Sequence, residues 1–285
     1  MLERCDGPAC RLRAEALELG VMPTVACLGR CDAPVAAVAA GRPLTLVRRG
    51  VVEPVTTLPP PRGPIEPLLL RDAGFADQPT LAAARRRGGW RELTPVDHLT
   101  ARALVAVVEL PPARGVGAFA GRVLGERDPH ALLQGAVVHA RAVGDRVPAL
   151  RVPPEWSAAR DALDRAAVEA RDAGLIGEVA FDGDLDCVRA AAIACSARVG
   201  ADWWRAHATR LCAVSGDALR PGVYELSPDA TIADAVAAAG GVVDGVRTAS
   251  RGTFIADGGL ERDGTRAAPA GLVLLHGGRD PDRVR

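Results

Sequence analysis

The spacing of apolar positions changes along the chain and divides it into regions with different expected structure. Over the first fifty residues it predicts a short helix from Ala9 to Leu19 and two strands, Val35 to Ala40 and Leu44 to Val47. From Glu53 to Pro67 there are six prolines, three of them consecutive at Pro59, Pro60 and Pro61, which predicts an extended, semi-rigid linker.

The middle region alternates helix and strand signals. Thr94-Pro95-Val96-Asp97 reads as a capping box with proline at the first helical position, followed by Leu99, Ala103, Ala106 and Leu110 at helical spacing. A second helix is expected to start at Asp128-Pro129, to carry Leu133, Val137 and Ala140 on one face and to stop at Gly144. A third sets Trp156, Ala159, Leu163, Ala167 and Ala170 against a charged face of Arg160, Asp161, Asp164, Arg165 and Glu169, and Gly174 closes it. Val147 to Val152 and Gly177 to Val188 read as strands on either side of that third helix, an order consistent with a parallel sheet.

The last region differs in kind. Thr209 to Ser215 and Gly222 to Leu226 predict strands joined through a Pro221-Gly222 turn, and Thr231 to Ala239 predicts a short helix with a Thr231/Asp234 capping box and a Gly240-Gly241 stop. The expected organisation is a module over 1–52, a linker over 53–67, an α/β domain over 68–207 and an α+β domain over 208–285.

Composition narrows the function classes. The 285 residues carry no formal net charge, 48% hydrophobic and 25% charged residues, which is ordinary globular usage. Every basic residue is arginine, a pattern read most simply as coding bias. The densest basic run, Arg85-Arg86-Arg87 with Arg91, is expected at a solvated helix end, and 3% aromatics leaves little for base stacking, so nucleic acid is not an expected partner. No apolar run approaches the roughly 20 residues that span a bilayer, and the first ten residues contain no apolar signal core. Direct membrane insertion is therefore not expected, and a cytoplasmic location is.

Four of the seven cysteines fall into two tight pairs, Cys5 with Cys10 in CDGPAC and Cys27 with Cys31 in CLGRCDAP. Thiolates are soft ligands suited to iron–sulfur clusters and zinc. Gly29 permits close backbone approach between two ligands, and Ala33-Pro34 ends the loop before the apolar run from Val35. The spacing is not that of the usual zinc knuckle with its shorter arms. Structural zinc, a disulfide pair and plain buried thiols remain open as alternatives. Cys187, Cys195 and Cys212 are expected in the core. His98, His130, His139, His207 and His276 show no paired ligand spacing, and Trp203-Trp204 suits either a partner-binding patch or the core.

The cysteine strings resemble those of thioredoxin-like 2Fe-2S ferredoxins, the module that accompanies the NADH-oxidising flavoprotein of complex I and of NAD-linked hydrogenases and formate dehydrogenases. GERDPHALLQGAVVHARAVG and RDALDRAAVEARDAGLIG resemble helices of that flavoprotein's Rossmann-like domain, and TRLCAVSGDALRPGVYELSPDATIADAVAAAGG resembles its soluble-ligand-binding β-grasp domain. The resemblance implies an α/β and α+β multidomain chain in that order, with a 2Fe-2S cluster on Cys5, Cys10, Cys27 and Cys31 and other subunits of a redox complex as partners.

The family's nucleotide features are altered. The flavin loop corresponds to Arg114 to Gly121, shortened and with Val116 among its glycines; only Arg122 to Arg127 stand where an acidic loop should follow. A third motif corresponds to Ala190 to Arg198, where the family's two carboxylates are replaced by Ala197 and Arg198. FMN and NAD are thus not expected, and no residue is assigned a catalytic role. The function this implies is an electron-transfer subunit or docking component; the alternatives are an NADH-oxidising flavoprotein, and a zinc-bound or metal-free scaffold.

Overall fold

Short aliphatic runs pair into sheets towards both ends of the chain, whereas the alanine-rich middle folds as helices. The computed structural model describes residues 1–33, 35–48, 51–54, 57–91, 97–110, 117–241, 246–251, 254–256 and 266–276. They fall into two units: Met1–Ile65 with Arg114–Ala120 and Arg210–Arg285, and Glu66–Ala113 with Gly121–Thr209.

The first unit opens with β1 (Leu2–Cys5), α1 (Pro8–Ala16) and β2 (Thr24–Val25), a strand–helix–strand turn in which β1 and β2 run parallel. Three antiparallel strands follow, β3 (Ala36–Ala39), β4 (Arg42–Arg48) and β5 (Val51–Pro54), giving the order β2-β1-β3-β4-β5. Proline at the first position of α1 gives up an N–H that a helix start leaves unsatisfied in any case. Cys5, Cys10, Ala14, Leu28, Val35, Ala36, Ala37 and Leu46 share one small buried core. The thiols are therefore part of the packing of this sheet.

The same unit contains a second sheet, ordered β7-β6-β10-β8-β9, from β6 (Arg210–Gly216), β7 (Gly222–Leu226), β8 (Val246–Arg251), β9 (Phe254–Ala256) and β10 (Gly271–His276). β10 runs parallel to β6, and the remaining pairs are antiparallel. Helix α9 (Ile232–Ala238) carries the expected capping box, with Thr231 and Asp234 each satisfying the other's backbone N–H, and Gly240 and Gly241 end it in the left-handed region at φ 84° and 94°. Ile232, Ala235 and Val236 pack on Cys212, Val214, Tyr224, Leu226 and Leu272. The proline-rich segment lies against this sheet: a Cβ on Gly63 would stand 2.9 Å from the Glu225 carbonyl, and one on Gly222 would stand 3.1 Å from Pro61.

The second unit holds α2 (Leu81–Arg86), α3 (His98–Ala106), α5 (Pro129–Val143), α6 (Ser157–Asp172), α7 (Cys187–Val199), α8 (Ala201–His207) and nearly all of α4 (Ala120–Arg127). Helix α5 starts and stops where the sequence predicts, with the Asp128 side chain accepting from Ala131 N–H, proline at its start and Gly144 left-handed at φ 83°. The inner face of α6 is the predicted one, with Ala159, Leu163, Ala167 and Ala170 buried. Helix α3 starts later than predicted. Asp97 itself is the N-cap, its side chain accepting from Thr100 N–H, while Thr94, Pro95 and Val96 lie outside the described residues.

The parallel sheet expected here is corrected. Among the described residues, the segments around Val147 to Val152 and Gly177 to Val188 meet only through isolated bridges, Ala149 with Ala180 and Arg151 with Asp182 and Asp186, and Val188 already belongs to α7. Pro148, Pro153 and Pro154 remove ladder donors. The core is instead built helix on helix, with α5 against α7 and α3. The fold class is accordingly mixed α and β with two mixed sheets, and the doubly covered parallel sheet of a Rossmann-like domain is absent from the described residues.

Asp128 is buried at the base of α5 and accepts 2.9 Å from Gln78 Nε2. Burial raises its pKa from 3.8 to about 6, against the opposing pull of the Gln78 bond. The folded protein thus holds this proton to about pH 6, while the unfolded chain releases it near 3.8. Between those values the folded state binds more protons, so Asp128 draws stability down as pH rises through that window. Asp128→Asn keeps an acceptor for both donors and loses no proton. It is expected to raise the melting temperature at pH 7 and leave it unchanged at pH 3.5; an equal shift at both values would contradict this.

Candidate metal centre

Cys5 ends β1, Cys10 lies on the first turns of α1, and Cys27 and Cys31 flank the loop after β2. Parallel pairing of β1 with β2, through Arg4 N–H to Pro23 O at 2.8 Å and Asp6 N–H to Val25 O at 2.9 Å, carries the second cysteine pair alongside the first. Gly29, between Cys27 and Cys31, adopts φ 65°, a left-handed conformation that favours glycine. Cys5, Cys10 and Cys31 are buried and Cys27 is exposed, and none of the four is in a disulfide.

The four side chains form a chain of thiol contacts. Cys5 meets Cys10 and Cys27, and Cys27 also meets Cys31, while Cys10 lies close enough to Cys31 to act on its charge. The Cys5 thiol is pushed far above the ordinary thiol range, first by its contacts with Cys10 and Cys27 and then by burial. The Cys31 thiol is raised in the same direction, first by Cys27 and then by burial. The thiolate forms of Cys5 and Cys31 are therefore disfavoured here in the absence of a cation.

Backbone amides favour charge on these sulfurs once a cation is present. Gly7 N–H and Leu28 N–H each donate to Cys5 Sγ at 3.3 Å, and Ala36 N–H donates to Cys10 Sγ at 3.3 Å. Across the CDGPAC loop, Arg11 grips Asp6 with a fork, Nε to Oδ1 at 3.0 Å and Nη2 to Oδ2 at 2.8 Å, and Nε also reaches the Asp6 carbonyl at 2.8 Å. Among the described residues, no group of three or more His, Cys, Asp or Glu side chains is drawn together tightly enough to hold one metal ion. The sulfurs are associated pairwise, and the donor set is four thiols with three amides aimed at two of them.

Sequence reasoning picked out the four cysteines and Gly29. It missed Gly7, the Asp6–Arg11 clamp and the amide donors. Gly7 carried a readable signal, a glycine between two candidate ligands, whereas backbone donors leave none.

The remaining cysteines behave differently. Cys187 and Cys212 are each pushed up to about 12, chiefly by burial, as isolated core thiols are. Cys195 is buried and takes a contact from Arg198 Nη2 at 3.4 Å. His130 is buried, with Nδ1 3.3 Å from Trp90 Nε1, which can only donate; Nε2 faces Glu169 at 3.3 Å, and burial lowers its pKa. Burial also lowers that of His139. His98 bonds the Arg141 carbonyl, and His276 pairs with Val246 across the second sheet. The tryptophans divide: Trp204 is buried, and Trp203 stacks on His207 at the surface. Arg86 and Arg87 are paired with Asp77.

The segments matched to nucleotide motifs are occupied by packing. Arg114 to Val116 lie outside the described residues. A Cβ on Gly117 would stand 2.8 Å from Val273 Cγ2, and one on Gly121 would stand 3.2 Å from both Trp156 and Cys187. Ala190 to Ser196 are buried within α7, where the Ala190 carbonyl approaches Gly135. Gly117 and Gly121 are thus close-packed against protein. Among the described residues, no helix is long and apolar enough to cross a membrane.

Neither family models nor curated proteins match the sequence. Its fold is that of a chain found in hydrogenases. Two solved structures of NAD+-reducing NiFe-hydrogenase, one air-oxidised and one H2-reduced, superpose with TM-scores of 0.67 and 0.66 at 17% and 18% identity; each match covers 99% of this chain and 70% of the other.

Proposed function

We propose that this protein is an electron-transfer subunit that holds a 2Fe-2S cluster on Cys5, Cys10, Cys27 and Cys31 and docks within a complex of the NAD-linked hydrogenase, formate dehydrogenase or NADH dehydrogenase kind. The observation that carries the reading is the chain of contacts linking the four thiols, with three amide N–H groups directed at Cys5 and Cys10. Two donor pairs suit a two-iron centre, and the likeness in fold to hydrogenase chains supports a redox setting.

When bound, the cluster would accept and return one electron at a time. Cys5, Cys10 and Cys31 would anchor it within the core, and Cys27 would face solvent. The three amides favour added negative charge on the sulfurs, and the Asp6–Arg11 fork holds the first ligand loop closed. The β2-β1-β3-β4 arrangement suits a trimmed thioredoxin-like module, and the sheet with α9 suits a β-grasp domain. The packed glycines at 117 and 121 support the absence of an FMN site of its own.

The test is electron paramagnetic resonance of the anaerobically purified full chain. Reduction with dithionite is expected to yield a signal of about one spin per chain, as a two-iron cluster gives after taking one electron, with no flavin released on denaturation. A diamagnetic protein containing zinc would overturn the electron-carrier reading, and bound flavin would overturn the statement about FMN.

A further inference from the structure

Gly7 stands at the point where the two cysteine pairs meet. Its carbonyl accepts from Arg11 N–H at 2.9 Å, and its own N–H donates to Cys5 Sγ at 3.3 Å. A Cβ at this position would lie 2.7 Å from Cys27 Sγ, 3.3 Å from Cys5 Sγ and 3.4 Å from Cys27 Cβ. Gly7 is not among the glycines with positive φ, so its backbone is open to any residue and the constraint is the space beside the sulfurs. Other crowded glycines, such as Gly63, Gly135 and Gly183, would meet backbone or apolar side chains, whereas Gly20 in the same unit has nothing within 4 Å.

We propose that Gly7 is a positioning residue for the redox centre: its bare α-carbon leaves the volume in which Cys27 Sγ approaches Cys5, and its amide tunes the charge that the Cys5 sulfur carries. This rests on the cluster reading above. An alanine would push Cys27 Sγ outward, because Cys27 is the exposed and least confined of the four ligands. It would also strain the Gly7 N–H bond to Cys5. The reduced cluster carries one more negative charge than the oxidised one, so a weakened amide donor disfavours reduction and lowers the potential.

The experiment compares the anaerobically purified full chain with Gly7→Ala and Gly20→Ala. The readouts are iron and sulfide content, the paramagnetic signal of the reduced protein, its redox titration, and thermal melting after metal removal. For Gly7→Ala the expected result is at least a tenfold lower ratio of reduced to oxidised cluster at the wild-type midpoint, about 59 mV for a one-electron couple, with altered g-values. Where the displaced sulfur no longer ligates, the expected result is a tenfold or greater loss of iron. Metal-free melting should match wild type, because Cys27 can then swing into solvent, and Gly20→Ala should match wild type throughout. A wild-type cluster with unchanged potential, g-values and iron content in Gly7→Ala would overturn the inference and leave the carrier reading standing. So would a lowered melting temperature of the metal-free variant, which would mark a general folding role. A wild-type protein without iron would overturn the carrier reading itself.

Discussion

Replacing Cys27 by serine is expected to abolish the visible absorption of the anaerobically purified protein and to lower its iron content by more than tenfold. Loss of an outer-shell partner alone costs about 10–100-fold in metal affinity, and a ligand should cost more. A neutral hydroxyl is a poor substitute for a thiolate, and Cys27 is the one thiol in contact with both Cys5 and Cys31. Its exposure makes the variant informative, because a serine at the surface leaves the core of the first sheet intact. Cys212→Ser is the counterpart: it places a hydroxyl among Val214, Tyr224 and Leu226, so it should lower stability and leave the iron content unchanged. Full absorption in Cys27→Ser would remove Cys27 from the ligand set.

The largest effect on stability is expected from Gly135→Ala. A Cβ there would stand 1.9 Å from the Ala190 carbonyl and 2.5 Å from its carbon, so α5 and α7 could not keep their present separation. Alanine recovers about 1 kcal/mol of helix propensity, but forced separation of packed helices costs at least the roughly 1–3 kcal/mol typical of overpacking. Because the clash is with backbone, which cannot rotate away, we expect a net loss of about 2 kcal/mol and a melting temperature lower by about 4–8 °C. Calorimetry checks this, and an unchanged transition would contradict the close helix approach. The loss should leave iron binding intact in molecules that remain folded.

What the sequence disclosed, and what it hid, follows from the range of the forces involved. Helices α5, α6 and α9 were legible because their ends are set locally: Asp128 and Pro129 start one, Gly144 stops it, and Thr231 with Asp234 caps another. Strands β1 and β2 were not, since β1 is a polar stretch and β2 only two residues long; each exists through its partner. The middle region misled because Val147 to Val152 has strand-like composition, yet its flanking prolines allow only single bridges while alanine faces bring the helices together. At the candidate centre the ligand types and Gly29 could be read directly. The arrangement of the sulfurs depends on the β1–β2 register, and their amide donors are backbone groups that any sequence carries.

The same distinction holds around Gly117, Gly121 and Ala197. Ala197 and Arg198 could be read from the sequence, whereas the closeness of Val273 to Gly117 and of Trp156 to Gly121 emerges only from tertiary packing.

The most direct measurement is the iron, zinc and acid-labile sulfide content of the full chain purified without oxygen. About two irons and about two sulfides per chain are expected, with zinc negligible. Zinc at one per chain with no sulfide, or no metal after attempted cluster reconstitution, would contradict this.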